Sequence, residues 1–311
     1  MKSTLLTLII FSILFACSPK QESVNSSAEN ISFEAISLLG DTLVSPPPSQ
    51  KSIDNYLERK ANFEADPSAD NWVWYGRFIA YQGKYKEAIE EYTKAIEQFP
   101  NDARFYRHRG HRYITIREFD KAIADFEKAA ELRLGLENEI EPDGAPNAQN
   151  IPVSTLHGNI YYHLGLANYL KGDMEAALAA YQKAIAASQM DDNVVSGVHW
   201  VYMILRRMGK EEEAKQALEV INKDMKIIEN FAYYDLCLFY KGEITLEEVT
   251  KSGEGELSSN DAVNYGIGNW YLYNGNEPKA GEIFESILSK PGWASFGYIA
   301  AEADLMRLSQ Q

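Results

Sequence analysis

The chain has 311 residues, 45 acidic against 30 basic, and a formal net charge of −15. That surplus of negative charge argues against a general affinity for nucleic acid or anionic lipid, since both partners favour a basic protein. Two cysteines, Cys17 and Cys237, make no disulfide framework, so stability has to come from packing.

Met1-Lys2 leads into an apolar run from Leu5 to Ile10 that continues through Phe11–Ala16 to Cys17. One positive residue, about a dozen apolar ones and a small residue before the break form the pattern of a secretory signal. The run is shorter than the ~20 residues that span a bilayer. Leu14-Phe15-Ala16-Cys17 resembles the lipobox of bacterial lipoproteins. The resemblance implies a signal peptide over 1–16, a lipid on Cys17, and a place in the bacterial cell envelope on the outer side of the inner membrane, in the periplasm or at the outer membrane. Ordinary secretion is the alternative. Cys237, in apolar Asp235-Leu-Cys-Leu-Phe239, then lacks a partner and suits an inert buried thiol. Residues 17–50 are polar and serine-rich and end in Pro46-Pro47-Pro48, which predicts a flexible tether with a semi-rigid end.

From residue 51 to 311 one pattern repeats. Trp72, Tyr75-Gly76, Gly83, Ala88, Tyr92, Ala95 and Pro100 make the first unit; Tyr106, Arg109-Gly110, Tyr113, Ala122, Phe126 and Ala129 the second. Tyr161, Leu164-Gly165, Gly172, Ala177, Tyr181 and Ala184 make a third, and Ile267-Gly268, Tyr271, Gly275, Ala280, Phe284 and Ile287 a later one. Small residues let two helices approach closely and aromatics fill the space between pairs, while Gly83, Gly172 and Gly275 fall where a first helix must turn. Apolar residues recur at helical spacing and no stretch shows convincing strand alternation. The units resemble the tetratricopeptide repeat. That resemblance implies an all-α, right-handed superhelical solenoid of antiparallel helix pairs, about six pairs plus capping helices. Less regular pairs fall near 193–223 and 229–249, and amphipathic caps near 53–65 and 294–308.

The phase breaks in a long insert at 135–157, which carries Glu137, Glu139, Glu141 and Asp143 but no Lys or Arg. Loops of such length are usually functional or disordered. It follows the basic stretch Arg104-Phe-Tyr-Arg-His-Arg-Gly-His-Arg112 and could fold back onto it.

In repeats of this kind the first helix of each pair lines the concave surface, with side chains at three- and four-residue steps on the inner face. That placement makes Arg77, Tyr81, Arg104, Arg107, His111, Tyr162, Tyr169, His199 and Arg206 candidate ligand-binding residues. Several arginines facing one cavity favour carboxylate or phosphate, which the guanidinium fork matches in two bonds. The alternative is that the arginines neutralise the insert. Arg109 takes a packing position and is expected to be a structural charge paired with a carboxylate such as Asp125 or one from the insert.

The leading expectation is a membrane-tethered, non-enzymatic interaction scaffold whose groove holds an acidic or carboxylate-bearing peptide segment of an envelope partner. The alternative is a receptor for a small anionic ligand such as a sugar acid or organic acid. An open channel suits the first, and a cavity closed by the insert suits the second. The sequence contains no His-Glu-x-x-His, Gly-x-Ser-x-Gly, phosphate loop or dinucleotide fingerprint, so no cofactor and no catalytic residue is assigned. His108, His111, His163 and His199 among arginines are expected to stay neutral rather than hold a metal. A nucleic-acid partner does not fit an exported protein.

Overall fold

The computed structural model describes residues 33–252 and 257–310. Within them six antiparallel helix pairs follow one another. These are α2 (Ala69–Tyr81) with α3 (Tyr85–Gln98), α4 (Ala103–Thr115) with α5 (Phe119–Leu132), and α6 (Leu156–Lys171) with α7 (Met174–Ala186). Then come α8 (Asp191–Arg207) with α9 (Glu211–Ala217), α10 (Phe231–Lys241) with α11 (Leu246–Ser252), and α12 (Leu257–Tyr273) with α13 (Glu277–Leu288). A first helix α1 (Gln50–Ala65) and a last helix α14 (Phe296–Leu308) complete the all-α solenoid.

Local chemistry sets the helix starts. Asp102 accepts from the amide of Arg104 at 3.0 Å, Thr155 from that of Gly158 at 3.1 Å, and Asp173 from that of Ala176 at 3.0 Å, each satisfying a donor the helix leaves free. Within a pair the contact is close: a Cβ on Gly76 would lie 2.5 Å from the Tyr92 ring, and one on Gly165 2.7 Å from the Tyr181 ring. The fully buried Tyr92 and Tyr181 therefore need glycine opposite them.

The flexible tether expected over 17–50 does not hold for its described part: Phe33–Ile36 (β1) and Thr42–Val44 (β2) form an antiparallel hairpin, with Ala35 opposite Leu43. Ala35 and Leu43 turn inward against Trp293, whose indole donates to the Val44 carbonyl at 2.8 Å. The hairpin also accepts the Lys86 amide on Glu34 and caps the α2–α3 turn through Ser45 and the Gly83 carbonyl. Its partners lie far along the chain, so local composition carries no sign of them. The part of the tether and signal reading that falls on residues 1–32, Cys17 included, lies outside the described residues.

The closing helix expected near 294–308 is α14; it packs on the last pair, α12 and α13, and also reaches α6, with Ile299 to Ala303 fully buried. Its residues reach across the concave side: Phe296 to His111 and His163, Glu302 to Arg117, Asp304 to Arg207, Arg307 to the Tyr169 and Leu170 carbonyls. The chain fills much of its own groove.

Arg117 is the joint of this closure. It occupies the turn after a first helix, where Gly83 and Gly172 stand in sister units, and shares their left-handed backbone with φ +68°. For a residue with a side chain that conformation is unfavourable and persists only where the surroundings impose it. The surroundings do so: the buried guanidinium bonds Glu302 at 2.7 and 3.1 Å and the Trp293 carbonyl at 2.9 Å. Glu302 also accepts the Leu38 amide at 2.6 Å. One ion pair thus ties the second helix pair, the hairpin turn and α14 together.

Candidate functional site

The insert folds back on the basic helix. Glu141, itself buried, lies 3.1 Å from Arg107 and 3.4 Å from His108, and accepts from Asn159 at 2.9 Å. Arg107 donates to His108 Nδ1 at 3.0 Å, which leaves Nε2 as the protonated nitrogen facing Glu141. The insert is held further by Arg77 to the Pro142 carbonyl at 2.7 Å, Arg133 to Glu139 at 3.0 Å and Asn147 to Glu229 at 2.9 Å. A carboxylate in the groove therefore comes from the chain itself.

The remaining arginines of the basic stretch are also engaged. Arg104 pairs with Asp102 and Asp70, each at 2.6 Å, and Arg112 donates to His111 Nδ1 at 2.6 Å. Arg109 makes a two-pronged bond to Asp125 at 2.7 and 2.8 Å and a third bond to Thr93. Burial and the neighbouring guanidiniums push His108, His111 and His163 well below the ordinary histidine range. They are neutral near pH 7. Among the described residues no group of three or more His, Cys, Asp or Glu is placed to hold a metal ion.

Insert, first helices and α14 together turn part of the groove into a cavity of about 250 Å³. The insert contributes Val153 and Ser154; α6 contributes Asn159, Tyr162 and His163; α8 contributes Asn193 and Ser196; α14 contributes Phe296. Glu229, Asn230 and Tyr233, at the entry to α10, line its mouth. This entry is held by Asp192, a fully buried carboxylate that accepts the amides of Ile228, Glu229 and Asn230 at 2.8 to 3.1 Å. The floor is a hydroxyl chain in which the Trp200 indole donates to Tyr162 at 2.9 Å and Tyr162 faces the Tyr233 hydroxyl at 3.5 Å. A second hollow of about 340 Å³ lies between α2, α4 and the insert, with Trp74, Arg77 and Arg104 on its wall.

The candidate residues scatter over these features. Tyr162 lines the first cavity; Arg77 and Arg104 line the second hollow, where Arg77 stacks 4.5 Å from the Trp74 ring. Tyr81 is exposed at that end. His111 sits behind the cavity, 4.6 Å from the His163 ring, and Arg107 is buried with Glu141. Tyr169 and His199 do not face a groove: both are buried, Tyr169 within hydrogen-bonding reach of the Tyr265 hydroxyl, Asn269 and Arg207, His199 stacked on Tyr240 and pushed down to about 3 by burial. Arg206 lies apart, bonded to Tyr202 and Asn274. Continuing one inner face along a whole helix overlooked that α12 and α14 cover its later turns. In α6 the accessible side is instead Asn159, Tyr162 and His163, a polar cluster at helical spacing before the apolar Leu164–Ala167 run. Glu229 and Tyr233 carried no comparable signal, because only the Asp192 bonds bring them in.

Family models for the tetratricopeptide repeat match residues 79–115, 103–134 and 155–191, so the chain carries tetratricopeptide repeats. It is 33% identical over 122 residues to the small glutamine-rich tetratricopeptide repeat-containing protein 2 of Saccharomyces cerevisiae, a stretch covering 39% of this chain and 29% of that protein. It is 28% identical over 116 residues to the Hsp70-Hsp90 organizing protein of Triticum aestivum, covering 37% of this chain and 16% of that one. The chain thus spans less than a third of these curated relatives. Among solved structures, a tetratricopeptide repeat protein from Parabacteroides merdae is 15% identical with TM-score 0.46, over 82% of this chain and 92% of that one. YrrB, a tetratricopeptide protein with an unusual peptide-binding site, is 18% identical with TM-score 0.41, over 79% and 97%. Tetratricopeptide proteins are generally non-enzymatic protein-interaction scaffolds.

Proposed function

We propose that this chain is a non-enzymatic binding scaffold whose concave side, narrowed by its own insert and last helix, receives a small polar ligand rather than a long peptide. The observation that carries the reading is the 250 Å³ cavity walled by the insert, α6, α8 and Phe296. A half-open pocket of that size suits a small ligand better than a long extended chain. Native mass spectrometry of the purified full chain after exposure to the small-molecule fraction of a cell extract is expected to show a bound species. A spectrum of unliganded protein only would refute the reading.

A carboxylate-bearing peptide is the second reading, and Glu141 favours it, since the groove already accommodates an acidic segment of the chain. Such a partner would settle against Trp74 and Arg77, the latter stacked and bonded to a carbonyl. A labelled Asp/Glu-rich peptide that binds the wild type and is lost with Arg77→Ala would make this reading the right one.

Export and lipidation belong to the same proposal, supported by the leader pattern and Leu14-Phe15-Ala16-Cys17. Among the described residues no helix is long and apolar enough to cross a membrane, and the anchor would be the lipid on Cys17, holding the scaffold at the outer face of a bacterial envelope membrane. In cells fed an alkyne fatty acid the wild type is expected to be labelled and membrane-bound, and Cys17→Ser neither. Equal labelling of the two would rule the anchor out.

A further inference from the structure

The lining of the cavity selects a charge. Among the described residues no Lys or Arg lines it, so an anion meets no counter-charge from them. Arg107, whose charge acts on the lining residue His163, is matched by Glu141 at 3.1 Å. Among the described lining residues the carboxylate is Glu229, at the mouth, and it lies in the field of Asp143 and Asp192. Partial burial and these two carboxylates raise the Glu229 pKa, so the site favours an added positive charge.

Hydrogen-bond direction leads to the same answer. Asn159 turns its amide nitrogen to Glu141 and Ser154, Asn193 to the Val153 carbonyl, and Asn230 to the Asp192 carbonyl. A carbonyl or carboxylate only accepts, which fixes the orientation of each amide. The Asn159 nitrogen is thereby fully used and offers a ligand its carbonyl oxygen only, while Asn193 and Asn230 offer a carbonyl oxygen and one further N–H each. Ser196 and Ser188 donate to backbone carbonyls, and His163 donates Nδ1–H to the Asn159 carbonyl at 2.6 Å. Neutral and with Nδ1 protonated, His163 offers an acceptor at Nε2. The lining offers acceptors at these oxygens and at His163 Nε2, and the rings of Tyr162, Tyr233 and Phe296 add negative faces that attract a cation.

Resting on the small-ligand reading, we propose that the cavity binds a compact ligand bearing an ammonium group. The cation sits between Glu229, the amide oxygens and the aromatic walls. This reverses the anionic ligand expected from the arginines of the basic stretch, which serve the insert and the neighbouring helices instead.

Three probes of one size separate the charges: benzylamine, benzyl alcohol and benzoate, titrated calorimetrically into the full chain. Benzylamine is expected to bind at least tenfold tighter than the other two. Glu229→Gln, which keeps a carbonyl for Asn147 and sits at an exposed mouth, is expected to weaken benzylamine at least tenfold while the melting temperature holds. Benzyl alcohol or benzoate binding as tightly as benzylamine overturns the ammonium assignment and leaves the small-ligand reading standing. So does an unchanged affinity in Glu229→Gln. Absence of benzylamine binding at millimolar concentration overturns the assignment too, whereas the small-ligand reading fails separately, on an extract that leaves the protein unliganded.

Discussion

Replacing Glu302 with leucine is expected to destabilise the fold by about 3–5 kcal/mol, the usual cost of removing one partner from a buried ion pair. Arg117 would keep a buried charge without a counter-ion, and the Leu38 amide would lose its acceptor. Arg117→Gly should also be destabilising, although it relieves the left-handed backbone, because it strands Glu302. The two changes touch the same pair, so their effects should not add. The double variant Arg117→Gly/Glu302→Leu removes both charges and the strain together, and is expected to be more stable than Glu302→Leu alone. Denaturant titration of the four proteins measures this. A double variant whose loss equals the sum of the singles would show that the pair is not the joint between hairpin, second helix pair and α14.

The other large effect is expected at Asp192. Its carboxylate collects three backbone amides from the segment entering α10, and hydrogen bonds to a charged group contribute roughly 1.5–3 kcal/mol each. Asp192→Ala is therefore expected to lose roughly 3–5 kcal/mol after water replaces part of the bonding. Asp192→Asn, with a single acceptor oxygen, should fall between. The change should also loosen Glu229, Asn230 and Tyr233, so amide exchange at 228–230 should accelerate and ligand binding weaken. Stability within about 1 kcal/mol of wild type for Asp192→Ala would mean that the segment is held by its packing instead.

Arg109 shows what a single position can disclose. A charge where sister units place Tyr75, Leu164 or Ile267 demands a carboxylate, and Asp125 stands on the facing helix of the same pair, within local reach. Arg107 looks equally basic in the sequence, but its partner Glu141 comes from an insert whose path no periodicity encodes. Arg117 left a faint local trace, an arginine where other units turn on glycine. Its reason is Glu302, which sits 185 residues away. Tyr169 and His199 were misplaced for a related cause: a helix has one inner face in sequence, but which turns stay open depends on the element laid over them.

The repeat itself was determined by the sequence. Glycine opposite aromatic, alanine at the close approach and a turn at fixed intervals are contacts within one helix pair, so their spacing along the chain states their geometry. Six pairs between α1 and α14 follow from that. Closure was decided only in three dimensions. The hairpin on Trp293, α14 across the concave side and the insert on Arg107 each depend on buried charges and rings meeting from distant segments. With them came the charge balance of the basic stretch, for Arg104, Arg107 and Arg109 are matched by Asp70, Asp102, Glu141 and Asp125.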